Sequence, residues 1–173
     1  HFEKRFKSEK TFFNAIKNYE SLKIKNIIKI KKEEINNGNL QKKLKSLKKV
    51  NLISYGCKKI GPEILRLFKL NKWNVHGGLS PWYRGSITHF WPTYLLEPEF
   101  TGMTLHKLSE EIDGGEIIHQ SAVKINAKDG IHDNACRCVR DFILSSRNII
   151  TERFLEKKQR GIAPHSSGRI WTE

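Results

Sequence analysis

The sequence contains few of the residues that mark a secreted or membrane-spanning protein. Its 173 residues include only three cysteines, at positions 57, 136 and 138. An odd cysteine count without other signs of secretion argues against a disulfide framework and predicts a reducing, cytoplasmic location. No apolar run approaches the ~18 residues that a membrane-spanning helix needs. We therefore expect a soluble domain with no membrane partner.

Metal ligands are also scarce. Cys136 and Cys138 have no further cysteine or histidine at the spacing of a zinc site. Both fall in a helical pattern, where side chains two residues apart point in different directions. The pair is interpreted as packing, and no metal site is predicted.

Acidic residues are fewer than basic ones, 18 against 32, which gives a formal net charge of +14. The excess is concentrated in the first fifty residues, as in "KIKNIIKIKKEE". A basic surface can attract nucleic acid. These lysines alternate with Ile and Leu, however, and no arginine-rich tract or RNA-binding aromatic signature accompanies them. A nucleic acid partner is disfavoured, although a basic, non-enzymatic nucleic-acid-binding domain stays open as an alternative.

Hydrophobic periodicity alternates between strand and helix along the chain, which is typical of α/β proteins. The pattern predicts a largely parallel sheet flanked by helices, in a single domain over residues 1–173 with an irregular tail at 159–173. Predicted helices cover 8–19, 40–50, 61–71 and 131–158, and predicted strands cover 24–30, 50–56, 72–78, 101–109 and 114–125.

A polar pair ends the strand at 72–78. Alternate residues of a strand share a face, so Asn74 and His76 can point into one pocket. An amide and an imidazole together suit a reaction that builds negative charge on an oxygen. Such an imidazole needs a carboxylate partner, for which Asp113 in the turn "IDGG" is the best candidate. Spacing alone leaves a purely structural role open for all three.

Two stretches together resemble the folate-dependent formyltransferases. They are "NVHGGLSPWYRGS" at 74–86 and "FTGMTLHKLSEEIDGGEIIHQ" at 100–120, preceded by the similar strand and loop "SYGCKKIGPEIL". The resemblance covers roughly residues 24–155 and implies a Rossmann-like formyltransferase fold. The strand, helix and strand usually expected ahead of this region are absent, so we expect an N-terminally incomplete catalytic domain.

The resemblance implies transfer of a formyl group from 10-formyltetrahydrofolate, a co-substrate, to the amine of a small acceptor, for example an amino sugar on a nucleotide carrier. It places the catalytic trio on Asn74, His76 and Asp113. Arg84 would bind a substrate phosphate or carboxylate, or else form a loop salt bridge. Hydrolysis with water in place of the amine is the related alternative, and homo-oligomerisation is left open. Folate contacts would fall on Cys57, Lys58, Lys59, Ile60, Ile112 and Gly114.

Overall fold

A computed structural model describes residues 2–14, 27–153, 160–166 and 168–172. Within these ranges the helices are α1 (Phe2–Phe13), α2 (Gly38–Leu44), α3 (Pro62–Leu65), α4 (Trp91–Tyr94) and α5 (Ile131–Arg153). The strands are β1 (Leu52–Tyr55), β2 (Lys72–His76), β3 (Tyr83–Gly85), β4 (Gly102–Lys107), β5 (Ile117–Ala122) and β6 (Arg169–Trp171). Across the described ranges, no helix combines the length and apolar character needed to cross a membrane.

The described strands form two sheets. The larger has the order β1-β2-β4-β5, and the smaller pairs β3 with β6 in parallel. In the larger sheet β1 and β2 run parallel, whereas β2–β4 and β4–β5 are antiparallel. The predicted α/β class is confirmed. The expectation of a largely parallel sheet is wrong for these strands, because the short turn at 108–116 joins β4 to β5 as an antiparallel hairpin.

The main core lies between the sheet and α5. Trp73 on β2 and Leu105 on β4 are fully buried, and Val75 packs against the same cluster. Because side chains alternate along a strand, the residues next to these in sequence on β2 and β4 face the opposite side of the sheet. Members of this cluster are Trp73, Met103, Leu105, Val123, Cys138 and Phe142. The expected packing role of Cys138 agrees with its place here.

Helices also cover the other parts of the sheet. Residues from α2, α3 and their flanking loops form a second buried cluster, which comprises Leu40, Ile60, Ile64 and Phe68. Helix α1 packs against α5. There the guanidinium groups of Arg137 and Arg140 lie over the Phe12 ring, 5.3 and 5.5 Å from its centroid, in a cation–π arrangement.

Several predicted boundaries were wrong. Residues 27–30 have no regular structure instead of the predicted strand, and the rest of 24–30 lies outside the described residues. The predicted helix at 61–71 ends at Leu65. The tail at 159–173 is not irregular throughout, because Arg169–Trp171 pairs with β3. The helix predicted over 131–158 is confirmed as far as Arg153, and 154–158 lie outside the described residues, as do 15–19 of the helix predicted over 8–19.

Asn37 begins α2 by capping it. Its side-chain Oδ1 accepts hydrogen bonds from the backbone N–H groups of Asn39 and Leu40, at 3.1 and 3.2 Å. Replacing Asn37 by Ala leaves both groups without this partner, so we expect the free energy of unfolding to fall by about 1 kcal/mol. Urea denaturation measures the change. Asn37→Ser should recover most of it, and an equal loss in both variants would contradict the capping role.

Candidate functional site

Strands β2 and β4 carry four polar side chains on the sheet face opposite Trp73 and Leu105. The antiparallel register pairs Asn74 with His106 and His76 with Thr104. Cross-strand partners in this arrangement have neighbouring side chains. The two strands therefore present a compact polar group at the carboxyl end of β2.

Asp113 reaches this group from the turn between β4 and β5. Its backbone φ is +46°, a left-handed conformation that Asp adopts more readily than most residues. Its carboxylate Oδ2 lies 3.2 Å from Nδ1 of His76, and its Oδ1 accepts a 3.2 Å hydrogen bond from Nδ2 of Asn74. The backbone N–H of Gly85 donates to Oδ2 at 3.0 Å. The structure thus brings together all three residues that the sequence proposed as a catalytic trio.

His76 is held in one tautomer. Its Nε2 lies 2.8 Å from the carbonyl oxygen of Tyr83, and because a carbonyl can only accept, Nε2 carries the proton. Gly78 permits this contact: a Cβ there would lie 2.5 Å from that oxygen and 2.7 Å from Nε2. Burial lowers the pKa of His76 below 6.5, although the charge of Asp113 opposes the shift. Burial thus favours the neutral form of His76, whose Nδ1 faces Asp113 and can accept a proton.

Asp113 is ionised in the same environment. Burial works against its charged form, but the hydrogen bond from His106 and the one from the Gly85 N–H hold its pKa below the ordinary value. The pair of Asp113 and neutral His76 can consequently accept one proton, which would then lie between Oδ2 and Nδ1.

The amide of Asn74 is oriented by its neighbours. The hydroxyl of Ser54 on β1 donates to Oδ1 of Asn74 at 2.7 Å, which leaves Nδ2 as the donor directed at Asp113. Nδ2 also lies 3.2 Å from Nε2 of His106. Nδ1 of His106 donates to the carbonyl of Lys107 at 2.8 Å, which fixes the imidazole ring beside the amide.

His106 was not among the candidate residues from the sequence, yet its Nε2 lies 3.3 Å from Oδ1 of Asp113 and its side chain is almost fully buried. The signal that identifies it is the alternation of "MTLH" at 103–106. Met103 and Leu105 are apolar and enter the core, so Thr104 and His106 must share the polar face.

Two cavities meet at this group. The first, of about 490 Å³, is lined by the loop after β1, the turn before Asp113 and the end of β6. The second, of about 880 Å³, extends from His76 and His89 to α1 and α5. Asn74 and Asp113 line both cavities, whereas among the three proposed catalytic residues His76 lines only the second.

The residues predicted to contact folate are mostly in the first cavity. Its lining includes Cys57, Lys58, Lys59, Ile60 and Ile112. Gly114 lies outside both linings, packed so that a Cβ would meet Nη1 of Arg84 at 2.6 Å.

Arg84 does not line either cavity. It is 5% exposed, and its Nη1 lies 3.3 Å from Oε2 of Glu111. This placement agrees with the loop salt bridge that the sequence left open beside substrate binding. The described residues include no group of three or more histidine, cysteine or acidic side chains placed to hold a metal ion.

Comparison with known proteins gives a consistent result. The profile of the Formyl transferase family matches residues 4–140. The bifunctional polymyxin resistance protein ArnA of Wigglesworthia glossinidia brevipalpis is 38% identical over 123 residues, which cover 70% of this chain and 18% of that protein.

Solved structures are similar as well. A 4-N formyltransferase from Francisella tularensis superposes with a TM-score of 0.66 and 25% identity, covering 95% of this chain and 62% of that chain. The formyltransferase PseJ from Anoxybacillus kamchatkensis, in complex with UDP-4,6-dideoxy-4-formamido-L-AltNAc and tetrahydrofolate, gives a TM-score of 0.56 and 27% identity, covering 69% and 62%. The chain spans less than two thirds of each of these proteins.

Proposed function

Since the chain belongs to the formyl transferase family, we propose that it transfers a formyl group from 10-formyltetrahydrofolate to the primary amine of a small acceptor. The observation that carries the proposal is the position of Asn74 and Asp113 on the boundary of both cavities. Two substrates bound on either side would meet at these two side chains.

The first cavity suits the formyl donor. Its volume of about 490 Å³ falls in the range of ligand sites. The loop residues Cys57–Ile60 line it, as the family resemblance implies for folate contacts. Lys58 and Lys59 are lining cations that complement the carboxylates of folate, although Lys59 Nζ also donates to the carbonyl of Glu110 at 2.7 Å.

The second cavity suits the acceptor. Its volume of about 880 Å³ accommodates a ligand larger than an amino acid, and His76 lines it. A nucleotide-linked amino sugar has this size and carries a primary amine. The UDP-linked formamido sugar bound to PseJ is the product of the same chemistry, which supports this substrate class.

The residues act on the charges that the transfer creates. As the amine nitrogen bonds to the formyl carbon, Asn74 Nδ2 donates to the formyl oxygen, where negative charge develops. Asp113 and His76 accept the proton that the amine loses. The bond from the formyl carbon to N10 then breaks, and the same pair returns the proton to N10. The products are a formamide and tetrahydrofolate, so the proton count balances.

An assay with the full chain tests this function. The protein is incubated with 10-formyltetrahydrofolate and a nucleoside-diphosphate-linked amino sugar, and tetrahydrofolate and the N-formylated sugar are quantified. Equal yields of the two products support transfer. Formate released without a formylated acceptor would identify hydrolysis, and the absence of both folate binding and turnover would overturn the proposal.

The protonation state of His76 predicts the pH dependence. Only neutral His76 can take up the proton, so kcat at saturating acceptor should fall on acidification. Because burial lowers the pKa of His76, the acidic limb should have its midpoint below 6.5. The residual activity of Asp113→Asn should have its acidic midpoint at a still lower pH, since the carboxylate of Asp113 raises the pKa of His76. A midpoint above 6.5 in the wild type would contradict this assignment.

A further inference from the structure

Strand β3 holds two of the proposed catalytic residues by its backbone alone. The carbonyl of Tyr83 fixes the proton of His76, and the N–H of Gly85 donates to Asp113. The two bonds come from opposite ends of a three-residue strand. Any shift of β3 therefore moves the environments of His76 and Asp113 together.

A strand this short is not stable by itself. Among the described residues its strand partner is β6, with Tyr83 opposite Arg169 and Gly85 opposite Trp171. The pairing continues past β3, where the N–H of Ser86 donates to the carbonyl of Trp171 at 2.8 Å.

Trp171 secures the pairing with its side chain. Its ring stacks on Tyr83 at 5.8 Å and on Trp91 at 4.7 Å between centroids. Stacked aromatic pairs contribute beyond the area that they bury. Gly85 allows the backbones to approach, because a Cβ there would overlap the carbonyl oxygen of Trp171.

The same tail segment reaches the first cavity. Ile170, Trp171 and Thr172 line it, together with Asn74 and Asp113. β6 thus lines the cavity beside Asn74 and Asp113 and also pairs with β3.

We propose that β6 is a positioning element of the site: Trp171 holds β3 in the register that orients His76 and Asp113, and residues 170–172 form one wall of the formyl donor's cavity. The proposal rests on the function proposed above for the donor's identity. The positioning of His76 does not depend on that identity.

Trp171→Ala tests the proposal in the full chain. Loss of both stacking contacts lets β3 move, and we expect kcat to fall about tenfold or more, since small misplacements of reacting groups are costly. The KM for 10-formyltetrahydrofolate should rise as the cavity wall is lost. Trp171→Phe keeps an aromatic ring and should restore kcat to near the wild-type value.

A second readout separates positioning from simple stability. NMR of the imidazole nitrogens reports the tautomer of His76, which should be a single Nε2–H form in the wild type and an averaged form in Trp171→Ala. Ile162→Ala is the control, because Ile162 belongs to the same tail but is 77% exposed and lines neither cavity. Its kcat and His76 signals should match the wild type.

The outcomes can be told apart. Wild-type kcat and an unchanged His76 tautomer in Trp171→Ala would overturn the positioning role, even if the melting temperature falls. If Trp171→Ala does not fold, Trp171→Leu retains apolar contact without ring stacking and is held to the same expectations. A wild-type chain that transfers no formyl group would refute the proposed function, while the NMR comparison would still decide the role of β6.

Discussion

Asp113→Asn is expected to reduce kcat by about 10³–10⁴-fold, comparable with the loss when a carboxylate partner of a catalytic histidine becomes an amide. The variant cannot hold the proton that His76 and Asp113 accept together. The new amide also places N–H groups near the N–H groups of Asn74. In the wild type, Nδ2 of Asn74 donates to Oδ1 of Asp113 at 3.2 Å. The assay is steady-state release of tetrahydrofolate.

Asn is the appropriate replacement because the backbone at position 113 has a φ of +46°, which Asn adopts more readily than Ala. Folate affinity and the melting temperature should therefore change little by comparison with kcat. Asp129→Asn serves as the matched control: it also removes a hydrogen-bonded carboxylate, which accepts from Nε of Arg137 at 2.9 Å, but Asp129 lines neither cavity. Turnover within tenfold of the wild type in Asp113→Asn would exclude the proposed proton acceptor.

The sequence was sufficient to predict that Asn74 and His76 share a face for a local reason, whereas the family resemblance implied the catalytic place of Asp113. Period-two alternation along β2 separates Trp73 from Asn74 and His76, so the order of residues in the sequence is enough to predict which side chains share a face. The same rule applied to β4 would have identified His106. The α/β class followed from equally local signals, namely the long apolar periodicity of α5 and the short apolar strands before it.

Features that depend on distant pairing were not predictable in this way. β6 pairs with a strand more than eighty residues earlier, and its three residues carry no alternation of their own. The salt bridge of Arg84 with Glu111 depends on how two loops meet in space. Sheet direction failed in part for the same reason, because β2 pairs antiparallel with β4 across the segment that contains β3.

Asn74→Ala should give the second largest loss, about 10²–10³-fold in kcat, because it removes the donor aimed at the developing negative charge. Substrate affinities should change less, since the amide would bind the formyl oxygen most strongly once that charge has formed. The measurement is kcat and the KM of each substrate, with folate binding determined separately.

Ser54→Ala provides the graded comparison that distinguishes a charge-stabilising amide from a merely packed one. Ser54 donates to Oδ1 of Asn74 and so determines which end of the amide faces Asp113. Losing one neutral hydrogen bond costs about 0.5–1.5 kcal/mol, or about two- to tenfold in rate if the bond serves orientation. The order of kcat should therefore be wild type, then Ser54→Ala, then Asn74→Ala. Equal melting temperatures with this order would identify orientation of Nδ2 as the cause, whereas full activity in Asn74→Ala would show that the formyl oxygen is stabilised elsewhere.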